Sequence, residues 1–311
     1  MPLISICIPA YKRVIYLKRL LDSVSIQIFK DFEVVINDDS PDDAVEKLIN
    51  GYRNKLQVVY YHNEVAKGTP ANWNAAIYRA SGEWIKLMHD DDWFTHSDSL
   101  KIFADQTKNG KKFIFSAYAN CIDNNTTSIE KHLLNSWKQK IIIEPMTLLA
   151  YNVVGPPSVT LVHKSVNQQY DERMKWRVDM DFYVRLLIQE QEYTYIDNVL
   201  INVGISETQV TKYCFQNPEV ELPEGYLLLQ KYGADRLNNI WVYDAWWRLL
   251  RNMQIKNAEQ LLQYESKPWP AVILKMILHL NRLSSSILKQ GAFSKTAMLL
   301  SYLCNSSKAI K

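Results

Sequence analysis

Short apolar runs alternate with amphipathic stretches from Leu3 to Met88. The runs are rich in β-branched residues and predict buried strands at Leu3 to Ile8, Phe32 to Ile36, Leu56 to Tyr60 and Trp84 to Met88. Pro9 is expected to end the first strand. Residues at helical spacing lie between the runs, as at Leu17, Leu20, Leu21 and Val24 and in Ala71 to Ala80. Because strands that alternate with helices build parallel sheets, the pattern predicts an α/β protein with a doubly wound, mainly parallel sheet.

The pattern after residue 95 is less regular. We expect helices at Leu100 to Gln106, residues 145 to 151 and Trp176 to Leu187, and strands at Lys112 to Tyr118 and Val159 to His163. The polar run Asp123 to Lys131 is predicted to be a loop. The pattern breaks near Pro218 to Gly225, and only helices are expected beyond it. Residues 1–215 are therefore expected to form one domain and residues 216–311 a C-terminal helical region.

Carboxylates follow two of the predicted strands. Asp38 and Asp39 follow the second strand, and Asp90, Asp91 and Asp92 follow the fourth, within EWIKLMHDDDW. Parallel strands end at the same edge of a sheet, where α/β proteins bind ligands. Adjacent carboxylates repel one another, so a positive partner is expected, and oxygen ligands favour Mg²⁺ or Mn²⁺. The alternative is a solvated acidic turn. The chain has no GxGxxG after the first strand and no P-loop motif.

Composition places the chain among ordinary globular proteins. It has 311 residues, of which 47% are hydrophobic and 22% charged. Its 4 cysteines are scattered without a CxxC pair, which predicts reduced thiols, a cytoplasmic location and no zinc site. The start MPLISICIPAY predicts no secretory signal, and no apolar run predicts a membrane-spanning helix.

The last part of the chain is basic and amphipathic. Residues 241–311 contain far more Lys and Arg than Asp and Glu. An apolar stripe recurs at Ile273, Met276, Ile277, Leu280, Leu283 and Ile287, near Trp246, Trp247 and Trp269. Two interpretations stay open. The stripe contacts the inner face of the plasma membrane as a peripheral surface, or it belongs to a helical lid that packs on the preceding domain or on a second subunit of a homo-oligomer.

Four sequence blocks occur in the order SICIPAYKR, DFEVVINDDS, ANWNAAIYRASGEWIKLMHDDDW and VDMDFYVRLL. Together they resemble the family 2 glycosyltransferases over roughly residues 2 to 190. The resemblance implies the GT-A fold, with a nucleotide-sugar-binding half at residues 1–93 and an acceptor-binding half at residues 94–215. It also implies inverting transfer from a UDP-sugar or dTDP-sugar to a hydroxyl of a glycan or lipid-linked acceptor. Surface polysaccharide synthesis, as of O-antigen or capsule, is the expected setting, and nucleic acid is not an expected partner.

The resemblance also implies roles for single residues in donor binding. Asp39 is expected to accept the N3–H of the base, and Asp38 replaces it if the register differs by one. The remaining expected nucleotide contacts are Pro9, Tyr11, Lys67, Asn74 and Asp90. GPPS at residues 155–158 and TQVTKY at residues 208–213 are expected to shape the acceptor side.

The metal and the general base are implied in the same way. The family's DxD motif falls on His89 and Asp91, so a histidine stands where the first acid is usual. Asp91 is the expected ligand of Mn²⁺ or Mg²⁺, with His89 and Asp92 beside it, and an alternative register pairs Asp90 with Asp92. Asp179 aligns with the base that deprotonates the acceptor, although Val178 stands where another acid is common. Asp181 is the second candidate, and Arg185 is expected to be a structural partner for the acidic start of this helix.

Two other functions remain open from the sequence. A nucleotidyltransferase also combines an α/β sheet with acidic metal ligands, but it usually has a glycine-rich loop that IPAYKR lacks. A catalytically inactive nucleotide-sugar binder at the membrane would account for His89 and Val178.

Overall fold

A computed structural model of the protein describes residues 1–122, 128–205 and 213–306. The chain forms two compact units. The first comprises Met1–Ile143 and Val153–Gln209 and contains the sheet, and the second comprises Glu144–Asn152 and Val210–Lys311. The second unit therefore takes in a segment from the middle of the chain, which no sequence pattern indicated. The division of the chain at residue 215 stays a prediction.

The first half of the sheet is the predicted parallel arrangement. Its strands are β1 (Ile4–Ala10), β2 (Phe32–Asp38), β3 (Val58–His62) and β4 (Trp84–Leu87), in the spatial order β3-β2-β1-β4 with parallel pairing throughout. They are connected by helices α1 (Val14–Ser25), α2 (Ala44–Asn50) and α3 (Ala71–Arg79). Every residue of β2 is buried, as expected for a central strand covered on both faces.

Pro9 does not end β1, contrary to the sequence prediction. The strand continues to Ala10, and Pro9 lies opposite Asn37 of β2. On the other side, β4 pairs with β1 only as far as Cys7, whose carbonyl accepts a hydrogen bond from the amide of Met88 at 2.9 Å. Pro9 faces the same side as Cys7, beyond this last bond, so its missing N–H leaves no partner unsatisfied.

The second half of the sheet mixes directions. It comprises β5 (Trp93–Phe94), β6 (Phe113–Ile122), β7 (Ser128–Lys131), β8 (Thr160–His163) and β9 (Thr194–Ile205). The full order is β3-β2-β1-β4-β8-β6-β9-β5, with β7 on β6; β8 runs antiparallel to both of its neighbours, and β9 runs parallel to β6. The helices are α4 (Ser99–Gln106), α5 (Asn135–Lys138), α6 (Lys140–Ile143) and α7 (Val178–Glu190). The prediction of a loop at residues 123–131 was wrong for residues 128–131, which form β7. Residues 123–127 lie outside the described part of the chain.

The second unit is helical over its described residues. Its elements are a 3₁₀ turn (Pro145–Leu149), α8 (Pro218–Tyr232), a 3₁₀ turn (Ala234–Asn238), α9 (Ile240–Asn252), α10 (Ala258–Tyr264), α11 (Ala271–Asn281), α12 (Ser285–Lys289) and α13 (Gly291–Ser306). The predicted break at Pro218 to Gly225 was wrong. Pro218 opens α8 at a position that needs no donor, the side chain of Asn217 caps that end, and the helix continues through Pro223.

The apolar stripe of α11 faces the interior of the helical unit. Ile273, Met276, Ile277 and Leu280 are at most 3% exposed, and so are Trp246 and Trp247. Most of this stripe therefore packs within the helical unit, whereas Ile287 is 40% exposed, and membrane contact by the C-terminal helices stays a prediction. Among the described residues, no helix combines the length and apolar character needed to cross a membrane.

Candidate active site

A turn of four polar residues follows β4 at the carboxyl edge of the sheet. It runs from His89 to Asp92 and is closed by a hydrogen bond from the amide of Asp92 to the carbonyl of His89 at 3.1 Å. Asp90, Asp91 and Asp92 are 3%, 6% and 2% exposed. The solvated acidic turn considered from the sequence is therefore excluded. Burial raises the pKa of Asp90 to about 7 even though the charge of Arg13 opposes the rise.

Two arginines of the first helical segment lie against this acidic turn. Arg13 bonds both carboxylate oxygens of Asp90 and donates from Nη1 to Asp91 Oδ2 at 2.9 Å. Arg19 donates to the carbonyl of Asp91 at 2.6 Å, and its guanidinium lies 3.5 Å from the ring centroid of Trp93. The positive partner expected from the sequence is thus present within the chain as Arg13.

The turn rests on residues from later segments. The hydroxyl of Ser158 accepts from the amide of His89 at 2.9 Å, and it opposes the rise in the pKa of Asp92 that burial causes. The ammonium of the fully buried Lys86 donates to the carbonyl of Ser158, and burial holds the pKa of Lys86 well below its usual value. The amide of Gly204 donates to Asp92 Oδ1 at 3.0 Å. A Cβ on Gly204 would lie 2.4 Å from the carbonyl oxygen of Asp91, so only glycine fits there.

The donor atoms of this turn fit a divalent cation. One ring nitrogen of His89 and one oxygen each of Asp91 and Asp92 lie within 4.8 Å of one another. Within the described part of the chain, His89 Nε2 and Asp92 Oδ2 are buried without a hydrogen-bond partner. Burial lowers the pKa of His89 to about 4, so its imidazole is neutral at pH 7, the form that binds metals. Burial and the charge of Asp91 raise the pKa of Asp92 well above its usual value, as expected where a cation would be favoured.

The carboxylates after β2 are both buried and both hydrogen-bonded. Asp38 accepts from the amide of Ser40 at 2.8 Å and from the hydroxyl of Tyr60 at 2.9 Å. Asp39 accepts from Asn63 Nδ2 at 2.7 Å and from the amides of Lys67 and Gly68 at 3.1 and 2.8 Å. A carboxylate offers about four acceptor positions, so Asp39 retains one while it holds the loop before α3.

The first turn of α7 carries Asp179, which is half-buried and accepts from the amide of Met180 at 2.8 Å. Burial raises the pKa of Tyr118 to about 12, and the charges of Asp179 and Asp92 both add to the rise. The phenol of Tyr118 therefore lies within electrostatic reach of α7 and of the acidic turn. Asp181 is 0% exposed and pairs with Arg185 at 2.9 Å, which confirms Arg185 as its structural partner.

Asn74 has a different environment from the other predicted donor contacts. Its Nδ2 donates to the carbonyl of Tyr170 at 2.9 Å, and its Oδ1 accepts from the amide of Tyr170 at 2.9 Å. It also lines a cavity of about 390 Å³ between α3, β4 and β8, into which no residue of the acidic turn faces. The geometry assigns Asn74 to holding the segment before α7, so its predicted donor contact gains no support.

A family model described as Glycosyl transferase family 2 matches residues 5–170, more than half of the chain. The chain belongs to glycosyl transferase family 2. This membership makes the protein a glycosyltransferase and accounts for the order of the first three sequence blocks, whereas VDMDFYVRLL lies beyond the matched residues.

Individual relatives and solved structures agree with this assignment. The GalNAc(5)-diNAcBac-PP-undecaprenol beta-1,3-glucosyltransferase of Campylobacter jejuni is 26% identical over 142 residues, 45% of this chain and 45% of that protein. The structure of Staphylococcus aureus TarS in complex with UDP has a TM-score of 0.61 at 18% identity and covers 98% of this chain and 90% of that chain. The mannosyltransferase PcManGT of Pyrobaculum calidifontis, in complex with GDP-Man and Mn²⁺, has a TM-score of 0.57 at 10% identity, over 98% of this chain and 86% of that one. Both structures confirm the GT-A fold.

The candidate site gathers some predicted residues and adds others. His89, Asp91 and Asp92 come together as one group of donor atoms. Pro9 and Tyr11 lie at the end of β1 and just beyond it, and Tyr11 is 49% exposed with Lys12 Nζ 4.8 Å from its ring. The sequence did not single out Arg13, Lys86 or Gly204. GPPS contributes Ser158 to the acidic turn, whereas residues 208–212 of TQVTKY lie outside the described residues.

Proposed function

We propose that this glycosyltransferase moves a sugar from a UDP-sugar or dTDP-sugar to a hydroxyl of a glycan or lipid-linked acceptor, with inversion at the anomeric carbon. The observation that carries the proposal is the convergence of His89, Asp91 and Asp92, whose potential ligand atoms lie within 4.8 Å of one another. Two side-chain atoms of these residues, His89 Nε2 and Asp92 Oδ2, are buried without a hydrogen-bond partner. The UDP in the TarS complex and the undecaprenol-linked glycan in the name of the Campylobacter relative support the substrate classes.

The residues of the chain divide the work of a single displacement. Asp179 takes the proton of the acceptor hydroxyl as its oxygen attacks the anomeric carbon. The bond from that carbon to the diphosphate breaks on the opposite side, and the nucleoside diphosphate leaves. The first turn of α7 favours an ionised Asp179, because a helix amino terminus stabilises negative charge.

Donor binding involves the strand ends. Asp39 has an acceptor position left for the N3–H that uracil and thymine share. It accepts from the amide of Lys67, and its own amide donates at 3.0 Å to the carbonyl of Ala10, which lies between Pro9 and Tyr11 in the chain. His89, Asp91 and Asp92 would hold Mn²⁺ or Mg²⁺, whose charge stabilises a departing diphosphate.

The test combines binding with turnover. Thermal shifts with UDP, dTDP, GDP and CMP, with and without Mn²⁺, define the donor, and release of the nucleoside diphosphate from matching sugar donors measures the reaction. We expect a Mn²⁺-dependent shift for UDP or dTDP. Asp179→Asn should keep this shift and lose about 10²- to 10⁴-fold in turnover, the usual contribution of a general base.

The matched control is Asp105→Asn, since Asp105 is half-exposed on α4 and pairs only with Lys101 among the interactions described. It should match the wild type in both assays. If Asp179→Asn turned over at the wild-type rate, the base would be another residue. Nucleotide binding without any turnover by the wild type would favour the inactive binder, and no nucleotide shift at all would contradict the donor site.

A further inference from the structure

The helix α13 carries its apolar residues outward. Phe293, Leu300 and Leu303 are 60%, 60% and 53% exposed, and they recur at helical spacing along one side. The opposite side consists of Ser294, Met298 and Ser301, which are 1%, 3% and 3% exposed. A surface helix of a globular protein normally has the reverse arrangement. We call the exposed group Phe293, Leu299, Leu300 and Leu303 the outer face of α13.

The inward serines fix this orientation. Ser294 Oγ accepts from Trp247 Nε1 at 3.2 Å and from Arg251 Nη1 at 2.9 Å. Ser301 Oγ lies 2.6 Å from the hydroxyl of Tyr243 and 2.6 Å from His279 Nδ1. Turning the helix to bury its leucines would break these bonds inside the unit, and buried polar groups without partners are costly. The exposure of the outer face is therefore built into the packing of the helix.

The formally charged residues of α11 to α13 have one sign. Residues 271–306 contain Lys275, Arg282, Lys289 and Lys295 and neither Asp nor Glu. All four basic side chains are exposed, and on α11 Leu278, which is 60% exposed, lies between Lys275 and Arg282. Lys295 lies within α13 itself.

The exposed apolar side chains and the basic residues together distinguish between the possible partners of the outer face. A second copy of the chain would bring an equally basic surface against this one, and like charges brought together without partners oppose association. An anionic lipid surface satisfies both properties, because apolar side chains enter the acyl boundary while lysine and arginine stay among the headgroups. We propose that the outer face of α13, with the basic residues of 271–306, docks on an anionic membrane surface. This site differs from the α11 stripe, which is buried.

The experiment is co-sedimentation of the full chain with vesicles of phosphatidylcholine alone and of phosphatidylcholine with one quarter phosphatidylglycerol. We expect binding to the anionic vesicles only, weakened by salt. The double variant Leu300→Ser with Leu303→Ser should bind about tenfold or more weakly, since each exposed leucine contributes its apolar area to insertion. Leu262→Ser is the matched control, because Leu262 on α10 is 47% exposed and lies outside residues 271–306.

Charge is tested separately. Lys289→Glu with Lys295→Glu should reduce anionic binding, whereas Lys267→Glu, at an exposed position outside residues 271–306, should leave it largely intact. Equal binding to both vesicle types, no binding by the wild type, or full binding by the leucine variant would overturn the proposal. A lipid-free dimer that the leucine variant separates would assign the face to a second copy instead. Mn²⁺-dependent nucleotide shifts should be unchanged in every variant, so this result is independent of the proposed reaction.

Discussion

Arg13 and Asp91 form an ion pair in which Arg13 Nη1 lies 2.9 Å from Asp91 Oδ2. The same carboxylate belongs to the group that fits a divalent cation. A divalent cation held by that group would therefore compete with Arg13 for Asp91 at short range.

Removing the guanidinium of Arg13 should strengthen metal binding in the absence of nucleotide. We expect Arg13→Gln to bind Mn²⁺ about tenfold or more tightly than the wild type, because a positive charge close to the site repels a divalent cation through a medium of low polarity. Calorimetric titration with Mn²⁺ measures the effect. Arg53→Gln, at an exposed position, is the control. Unchanged or weaker Mn²⁺ binding by Arg13→Gln would mean that Arg13 stabilises the acidic turn without competing with the metal for Asp91.

Ser158 is predicted to organise the acidic turn. Ser158→Ala removes the hydroxyl that accepts from the amide of His89, and Ser158 is 0% exposed, so water cannot replace it. We expect a loss of about 1–3 kcal/mol in stability and weaker Mn²⁺ binding. The control is Ser165→Ala, at an exposed position, which should change neither the stability nor the Mn²⁺ affinity. A Ser158→Ala protein with wild-type melting temperature and metal affinity would contradict this role.

Gly204 tests the close approach of β9 to the acidic turn. The Cβ of Gly204→Ala would meet the carbonyl oxygen of Asp91 at 2.4 Å, and that atom is backbone, so the strand or the turn must shift. We expect about 1–3 kcal/mol of destabilisation, measured by thermal unfolding. In Gly291→Ala nothing lies within 4 Å of the added atom, so the melting temperature should stay the same or rise. Equal melting of both variants would show that the approach is looser than described.

The lowered pKa of Glu33 predicts a specific dependence of stability on pH. Burial raises its pKa, but hydrogen bonds from Ser5 and from the amide and hydroxyl of Ser81 outweigh that effect and hold the pKa below its usual value. A carboxyl with a lowered folded-state pKa stabilises the fold above its unfolded pKa and loses that contribution as the pH falls through the folded value.

The corresponding variant is Glu33→Gln. It should lower the melting temperature at pH 7, and the difference from the wild type should shrink as the pH falls below about 4. Glu83→Gln, at an exposed position, controls for the change of net charge. A difference in melting temperature that increased in acid would contradict a lowered pKa of Glu33 in the folded state.

The parallel half of the sheet was predictable because its signal is local. Each of β1, β2 and β4 is a short apolar run that ends in polar residues, and parallel pairing then places Asp39 and Asp91 at one edge. The strand β9 was missed, since TYIDNVLINVGI includes Asp197 and Asn198 and its pairing with β6 shifts register near Ala117. Such irregular pairing is set by the partner strand and not by the run itself.

The site was predictable only in part, for a similar reason. His89, Asp91 and Asp92 are adjacent in sequence, so their convergence follows from a turn. The contacts of Arg13 and Gly204 join them to residues distant in the chain, and nothing in KRVIYL or VLINVGI indicates a partner near residue 91. Burial could not be read from three consecutive acids, which usually indicate exposure.

The segment Glu144–Asn152 belongs to the helical unit although it lies between two stretches of the sheet unit. Arg236 bonds Glu144 at 3.2 Å, and Arg248 donates to the carbonyl of Ala150 at 2.7 Å. Met146 and Leu148 are at most 1% exposed. A chain cut after residue 215 would retain this segment and lose the helices that cover it, which would expose Met146 and Leu148 to solvent. Truncation after residue 215 would therefore leave an exposed apolar segment in the middle of the shortened chain and favour its aggregation. The helical unit cannot be removed by a single truncation.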